Sequence, residues 1–187
     1  MGLIILEGPN GVGKTHTALD MVRGFDGPIQ YIHNVRSDAS TIIEQTARAA
    51  ATPDTLHVWD RTWLSEAVYY DFYGRSTPDI DLDLMVGRVH PVVESIGHTL
   101  ILHRRWADID QTGRGRYNKL LPDADPEVIH DAATTRYTSW AGRLSIPVLT
   151  TPLRDDYRNI LIESAMHKGG QYAAAATSKP VSMNGTH

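Results

Sequence analysis

The stretch EGPNGVGKTH, residues 7 to 16, decides the fold, because its glycines stand at a fixed spacing beside a lysine and a threonine. The apolar run LIIL (3–6) precedes it and predicts a strand that is buried on both faces. The segment THTALDMVRG (15–24) follows it, with apolar residues at helical spacing and a glycine as a stop signal. The sequence therefore predicts a strand, a loop and a helix in direct succession.

The loop between this strand and this helix has the spacing G-x-x-x-x-G-K-[ST]. Its glycines let backbone N–H groups turn inward around an anion, and the N-terminus of the helix adds a favourable dipole. Lys14 supplies a positive charge and Thr15 a hydroxyl for Mg²⁺. We therefore expect a site for ATP and Mg²⁺, the alternative being a glycine-rich turn without a ligand. The expected ATP-binding residues are Gly8, Asn10, Gly11, Val12, Gly13, Lys14, Thr15 and His16.

The composition is ordinary for a soluble globular protein, with 187 residues of which 41% are hydrophobic and 21% charged. The net charge of -4 argues against a nucleic-acid-binding surface, so no stable nucleic-acid partner is expected. The absence of cysteine excludes disulfides and thiolate metal sites, and it agrees with the cytoplasmic location that we expect. We expect no signal peptide, no membrane span and no membrane partner.

Strand-like and helix-like segments alternate along the rest of the chain. The strand-like segments are 3–6, 28–33, 56–59, 99–103 and 146–151. The helix-like segments are 15–24, 40–51, 62–74, 81–95 with a kink or break at Pro91, 126–144 and 155–168. This alternation predicts one α/β domain over residues 1–168, with a five-stranded parallel sheet that helices cover on both faces. We expect the small and polar tail 169–187 to be disordered, the alternative being a short helix over 173–176.

A second informative stretch is LHVWDRTWLSEAVYYDFYGR, residues 56 to 75. Asp60 ends an apolar strand, where parallel α/β folds place ligand-binding groups, so it is a candidate Mg²⁺ ligand. Residues three and four apart share a helix face, which would here combine a cation, a hydroxyl and aromatic rings. The members of this face are Arg61, Ser65, Val68, Tyr69 and Phe72. The alternatives are core packing for the aromatic residues, and a helix-capping Asp60 beside a solvated Arg61.

The segment DRTWLSEAVYY (60–70) resembles the D-R-Y-x-x-S-x-x-A-Y-Q motif of thymidylate kinases. Asp60, Arg61, Ser65 and Tyr69 stand in matching positions, and the continuation to GRS also resembles bacteriophage deoxynucleotide kinases. The resemblance covers the first half of the chain. It implies a phosphate-loop NTPase fold that transfers the γ-phosphate of ATP to a nucleoside monophosphate, a step of nucleotide biosynthesis. It also implies that Asp60 and Arg61 lie between the metal and the acceptor phosphate.

The chain departs from that family in three places. Asn10 stands where thymidylate kinases commonly carry an acidic residue that meets the acceptor sugar. The R-E-P-G stretch after the second strand is absent, and Arg36 is the cation able to replace it. Thr62 replaces the tyrosine of the motif, so no preference for thymidine is carried over. The acceptor-binding candidates are Asn10, Arg36, Arg61, Ser65, Tyr69, Phe72 and Arg75.

The charged segment HRRWADIDQTGRGR (103–116) follows the fourth strand, where nucleotide kinases carry a lid. A closing arginine meets the negative charge that develops during phosphoryl transfer. The variable positions 9–12 of the phosphate loop hold no cation, which resembles the thymidylate kinase subclass with catalytic lid arginines. We expect a lid near 104–120 with Arg114 and Arg116 as catalytic residues. The alternative is an exposed loop whose arginines, Arg104 and Arg105 included, pair with Asp108 and Asp110.

These patterns together predict a nucleoside monophosphate kinase. The expected catalytic residues are Lys14, Asp60, Arg61, Arg114 and Arg116, and the expected metal ligands are Thr15 and Asp60. One alternative is a kinase of free deoxynucleosides, for which Glu7 and Asp38 are candidate bases. Another is a phosphate-loop ATPase of nucleic-acid metabolism. The histidines show no metal-binding spacing, those at strand ends are expected to be structural, and a homodimer is left open.

Overall fold

The residues that the computed structural model describes, 2–34, 38–52, 54–120 and 124–178, form a five-stranded parallel sheet in the order β2-β3-β1-β4-β5. The strands are β1 (Gly2–Glu7), β2 (Ile29–His33), β3 (Leu56–Asp60), β4 (Gly97–His103) and β5 (Val148–Thr150). β1 lies in the middle and pairs with β3 on one side and β4 on the other. The predicted parallel sheet is thus confirmed.

Helices connect the strands and pack on both faces of the sheet. They are α1 (Lys14–Gly24), α2 (Ala39–Ala51), α3 (Trp63–Tyr69), α4 (Leu82–Leu84), a π-helical turn (Met85–Val89), α5 (His90–Ile96), α6 (Gln111–Leu120), α7 (Pro126–Leu144) and α8 (Asp155–Ser178). Short 3₁₀ turns lie at Asp71–Tyr73 and Trp106–Asp108. Helices between parallel strands bury both faces of the sheet, which explains why its central strands are continuous apolar runs.

Alternate residues of the central strand point to opposite faces of the sheet. Leu3 and Ile5 belong to one core cluster, whereas Ile4 and Leu6 belong to the other. The first cluster includes residues of α2, α3, α5 and α7, and the second includes residues of α1 and α8. This period of two follows from strand geometry, and it leaves the carboxyl ends of β1, β3 and β4 together at one edge.

The segment 81–95 is helical, but Pro91 does not break it. Pro91 lies in the first turn of α5, directly after a helical turn in which the His90 N–H donates to Met85 O. The irregular part is the π-helical turn Met85–Val89, which comes before the proline. The irregularity expected at Pro91 thus takes the form of a π-helical turn just before it, where a proline removes a helical hydrogen bond and crowds a carbonyl group.

The last helix is longer than its predicted extent of 155–168, because α8 ends at Ser178. Residues 169–178, which we expected to belong to a disordered tail, are helical. Alanine is the strongest helix former and occupies positions 173–176, and Tyr172 packs against a core cluster. The expectation for 179–187 lies outside the described residues. In the described part of the chain, no helix combines the length and the apolar composition that a membrane span requires.

Candidate functional site at the carboxyl edge of the sheet

The loop between β1 and α1 turns on glycines with positive φ at positions 8, 11 and 13. A Cβ on Gly8 would lie 2.2 Å from the carbonyl oxygen of Leu102 on the neighbouring strand, so no side chain fits there. Gly13 is left-handed, and α1 begins at the next residue without a side-chain cap. A helix N-terminus of this kind offers its amide groups to an anion.

The ammonium group of Lys14 lies on the same loop. Its Nζ donates to the carbonyl oxygen of Gly8 at 2.8 Å and to that of Pro9 at 2.6 Å. The residue is buried, so these contacts hold the charge at the loop rather than in solvent. The loop therefore combines amide groups and a fixed cation, as a phosphate site requires.

Asp60 reaches the start of α1 because β3 pairs in register with β1, with Leu6 opposite Asp60. Its Oδ2 accepts a hydrogen bond from Thr15 Oγ1 at 2.5 Å and lies 2.8 Å from His33 Nδ1. Asp60 is fully buried, and among the described residues its Oδ1 has no hydrogen-bond partner. A buried carboxylate oxygen without a partner, next to a hydroxyl, supplies the hard oxygen ligands that Mg²⁺ prefers. Thr15 and Asp60 therefore fit the predicted metal site.

His33 is a residue that sequence reasoning assigned to the structure rather than to the site. It ends β2 and stands opposite Asp60 in the sheet register. Its position at the carboxyl end of the second strand of a parallel sheet is the sequence signal that could have identified it as a site residue. Within the described residues, no group of three or more His, Cys, Asp and Glu side chains forms a further metal site.

Arg61 has a φ of 80°, which is uncommon for a residue with a side chain and is typical of functional sites. Its backbone N–H donates to Leu6 O at 3.0 Å. Its guanidinium group donates to Ser65 Oγ at 2.9 Å and to Asn10 Oδ1, and it lies 5.6 Å from the centre of the Tyr69 ring. The structure thus brings together four residues that the sequence predicted for the acceptor side.

Glu7 accepts four hydrogen bonds next to Arg61. Its Oε1 accepts from the backbone N–H and the hydroxyl of Thr62, at 2.6 and 2.8 Å. Its Oε2 accepts from the hydroxyls of Ser65 at 2.6 Å and Tyr137 at 3.3 Å. Burial raises the pKa of Glu7 above its usual value, and the hydrogen bonds from Ser65 and Thr62 and the charge of Arg61 oppose this shift. Four donors on two oxygens indicate the carboxylate form.

The other predicted acceptor residues differ in position. Phe72 stays near the cluster, with its ring centre 5.6 Å from that of Tyr69. Arg75 is not brought to the cleft edge, because its guanidinium group forms two ion pairs of 2.5 Å. The partners are Glu66 and Asp79. Arg36 lies outside the described residues.

The lid segment is not a loop throughout, since α6 occupies its second half. Asp110 Oδ1 accepts from the backbone N–H of Gly113 at 2.7 Å and thereby caps the helix. A Cβ on Gly113 would lie 3.1 Å from Gly11 Cα, so glycine at this position lets α6 approach the phosphate loop. Gly115 has no such role, because a Cβ at this position would meet nothing within 4 Å.

The lid arginines have different surroundings. Arg104 lines the cleft. Arg105 forms a 2.8 Å ion pair with the carboxylate of the turn Trp106–Asp108, as the alternative interpretation expected. Arg114 donates to carbonyl oxygens of the same turn at 3.2 and 3.3 Å and lies 5.1 Å from its indole ring. Arg116 belongs to α6, and its side chain lies outside the described part of the structure.

These elements surround a cavity of about 410 Å³, a size typical of small-molecule sites. It is lined by the phosphate loop with the start of α1, the ends of β2 and β3, the lid segment and the turn after β5. The lining residues are Gly11, Val12, Gly13, Lys14, Thr15, His16, Thr17, His33, Asp60, Arg61, Arg104, Asp110, Thr112, Gly113, Thr151 and Pro152. Of the predicted ATP-binding residues, Gly8 and Asn10 are not among them.

No protein-family model matches the sequence, and no curated protein sequence matches it. The YorR protein of Bacillus subtilis, solved in complex with phosphorylated GDP, is similar in structure, with a TM-score of 0.53 and 18% identity over 79% of this chain and 84% of that chain. A thymidylate kinase from Candida albicans gives a TM-score of 0.45 and 13% identity, covering 90% of this chain and 93% of that chain. A gluconokinase from Sinorhizobium meliloti gives 0.40 and 10%, covering 94% and 95%. Similarity at such low identity concerns the fold, and with the sheet and loop described above it shows that this chain has the α/β phosphate-loop NTPase fold.

Proposed function

We propose that the protein is a nucleoside monophosphate kinase, which transfers the γ-phosphate of ATP to a nucleoside or deoxynucleoside monophosphate. The observation that carries this proposal is the convergence of three features at one cavity. They are the phosphate loop with Lys14, the Thr15–Asp60 pair, and Arg61 with its anchored guanidinium group. Phosphoryl transfer depends mainly on positioning and charge stabilisation, which such groups supply.

Each group has a distinct part in this proposal. The phosphate loop and Lys14 would bind the phosphates of ATP, and Thr15 and Asp60 would hold Mg²⁺, which neutralises charge on the phosphate oxygens when bound. Arg61 would face the acceptor phosphate. A small-molecule acceptor, a cytoplasmic location and the absence of a stable nucleic-acid partner belong to the same proposal, and the homodimer stays a prediction.

The surroundings of the carboxylates favour a phosphate acceptor over a hydroxyl acceptor. A hydroxyl needs a base to take its proton, whereas a monophosphate is largely dianionic at neutral pH. Glu7 already accepts four hydrogen bonds. Asp38 caps α2, because its Oδ1 accepts from Thr41 N and from the Ser40 hydroxyl, each at 2.7 Å. Both carboxylates that the sequence left open as bases are therefore engaged elsewhere.

One observation favours the alternative, a kinase of free nucleosides. His33 Nδ1 lies 2.8 Å from Asp60 Oδ2, and the His33 side chain is 44% exposed. A histidine oriented by a carboxylate is a common general base. In this function Asp60 Oδ2 would orient His33, and Oδ1 would remain available to the metal. A His33→Gln variant that loses activity on nucleosides and keeps it on monophosphates would identify such a base.

ADP release by the purified protein, with ATP, Mg²⁺ and a panel of monophosphates and nucleosides, tests the proposal. We expect turnover with at least one monophosphate, and a decrease of about 10³-fold or more in Lys14→Ala, because the loop loses its fixed cation. Circular dichroism should show that the variant is folded. Near-normal turnover of Lys14→Ala would contradict the proposal. ADP release that needs nucleic acid instead of a small acceptor would indicate an ATPase.

A further inference from the structure

Two tyrosine hydroxyls hold the peptide groups of Asn10 in the phosphate loop. The Tyr69 hydroxyl accepts from Asn10 N–H at 3.1 Å, and the Tyr117 hydroxyl donates to Asn10 O at 2.7 Å. Tyr69 belongs to α3 and Tyr117 to the lid helix α6, where it is fully buried. The lid helix therefore holds the nucleotide-binding loop through one hydroxyl group.

His130 of α7 contacts the same hydroxyl. Its Nδ1 lies 2.7 Å from the Tyr117 oxygen, and its Nε2 lies 3.0 Å from the carbonyl oxygen of Arg104. The residue is 1% exposed, and the rings of Tyr117 and Trp106 pack against it with centroid distances of 5.7 and 5.6 Å. Both ring nitrogens thus face partners that belong to the lid segment.

A neutral histidine cannot make all of these contacts. A carbonyl oxygen only accepts, so Tyr117 must give its single proton to Asn10, and His130 Nε2 must donate to Arg104. His130 Nδ1 must then donate to the Tyr117 oxygen as well. Imidazole carries two N–H groups only in its protonated form. All three contacts are therefore satisfied at the same time only when the imidazole ring of His130 is protonated.

Loss of the proton from Nδ1 leaves one hydroxyl proton for two acceptors. Asn10 is half-buried, whereas His130 is almost completely buried. A buried acceptor without a partner costs more than an acceptor that water can meet. The Tyr117 hydroxyl is therefore expected to turn toward His130 and to release Asn10.

The groups around His130 determine the pH at which this change occurs. Burial lowers the pKa of His130, the Arg104 carbonyl and Asp131 raise it, and His103 and Lys14 lower it, with a net decrease from 6.5. The lid segment adds Tyr117 and also Arg114, whose guanidinium group stacks on Trp106. The transition is therefore expected on the acid side of the usual histidine range.

We propose that His130 is a positioning residue that acts through Tyr117 on the phosphate loop. When protonated, it lets the lid helix hold Asn10, and on losing its proton it withdraws the hydroxyl from the loop. The contact between the lid helix and the nucleotide-binding loop would thus weaken as the pH rises through the titration of His130. This inference concerns the loop itself and does not depend on the identity of the acceptor.

Nuclear magnetic resonance of the nucleotide-free protein tests this proposal. The ring ¹⁵N resonances report the protonation of His130, and the amide of Gly11, which shares a peptide group with the Asn10 carbonyl, reports the hydrogen bond. In a titration from pH 8 down to the lowest pH at which the protein stays folded, we expect the two signals to change together with a midpoint below 6.5. Tyr117→Phe should abolish the Gly11 titration while His130 still titrates. The matched control Tyr69→Phe removes the hydroxyl on the other side of Asn10 and should keep the coupled titration.

Two results would overturn the proposal. One is a His130 that keeps a single protonation state across this range, which the unmodified protein alone can show if a variant does not fold. The other is a Gly11 titration that persists in Tyr117→Phe. Because neither signal requires ATP or an acceptor, failure here is distinguishable from failure of the proposed kinase activity.

Discussion

At the scale of single residues, Ser65 links the two charges of the acceptor side. Its hydroxyl accepts from Arg61 Nη1 at 2.9 Å and donates to Glu7 Oε2 at 2.6 Å. Removing one member of a buried charge pair leaves the other uncompensated, which is strongly destabilising. The positive φ of Arg61 is thus held by side-chain contacts as well as by its backbone hydrogen bond.

Glu7→Gln should lower the free energy of unfolding by about 1–3 kcal/mol, because its amide nitrogen would face a group that already donates. Tyr137→Phe is the milder control, since it keeps the carboxylate and removes the 3.3 Å contact to it together with the 2.9 Å contact of the same hydroxyl to Ser65 Oγ. Urea denaturation at neutral pH measures both changes. If Glu7→Gln were as stable as the unmodified protein, Glu7 would be a neutral acid in the folded state, contrary to our assignment.

At the scale of elements, strand β3 carries a histidine that should make stability depend on pH, besides its candidate metal ligand Asp60. Burial lowers the pKa of His57 from 6.5 to about 4. Between these values the unfolded chain binds a proton that the folded protein does not bind. Stability should therefore decrease as the pH falls through this window, by about 3 kcal/mol from this residue. Urea denaturation at about pH 7 and pH 4.5 measures the decrease.

His57→Gln provides the control for that measurement, because glutamine does not titrate. Its stability should depend less on pH than that of the unmodified protein in the same interval. Identical pH dependence of the two proteins would show that His57 titrates normally in the folded state.

The lid segment gives a second prediction at this scale. Arg114→Ala and Arg116→Ala should lower turnover by about 10³-fold, since arginines that close on the transition state act there. ATP affinity should change far less, because these arginines would stabilise the transition state more than the bound ground state. Arg105→Ala is the matched control and should change neither quantity, since Arg105 pairs with Asp108 at the surface. Equal losses in binding and turnover would indicate simple charge attraction instead.

At the scale of the whole molecule, local patterns predicted most of the architecture. The run LIIL and the glycine spacing identified β1 and the phosphate loop, and α7 has the predicted bounds of Pro126 and Leu144. The N-terminal end of α7 carries two local signals, with Asp125 as a cap and Pro126 in the first turn. Parallel pairing then follows from the alternation of strands and helices.

Contacts between distant parts of the chain could not be predicted in the same way. Tyr137 reaches Glu7, and Tyr117 reaches Asn10, across separations for which no local pattern exists. The sequence predicted a lid without its helix, because the contact of Gly113 with the phosphate loop joins distant parts of the chain. Packing, rather than propensity, decides such positions, and a single sequence without coordinates does not display it.

The central claim, that the acceptor is a monophosphate, is tested most directly by comparing kcat/KM for a deoxynucleoside monophosphate with kcat/KM for its nucleoside. We predict a preference of at least about 100-fold for the monophosphate, equivalent to roughly 2.7 kcal/mol of transition-state discrimination. Arg61→Ala should remove most of this preference, because its guanidinium group would be the partner of the acceptor phosphate. Efficient phosphorylation of the free nucleoside by the unmodified protein, without this preference, would contradict the account.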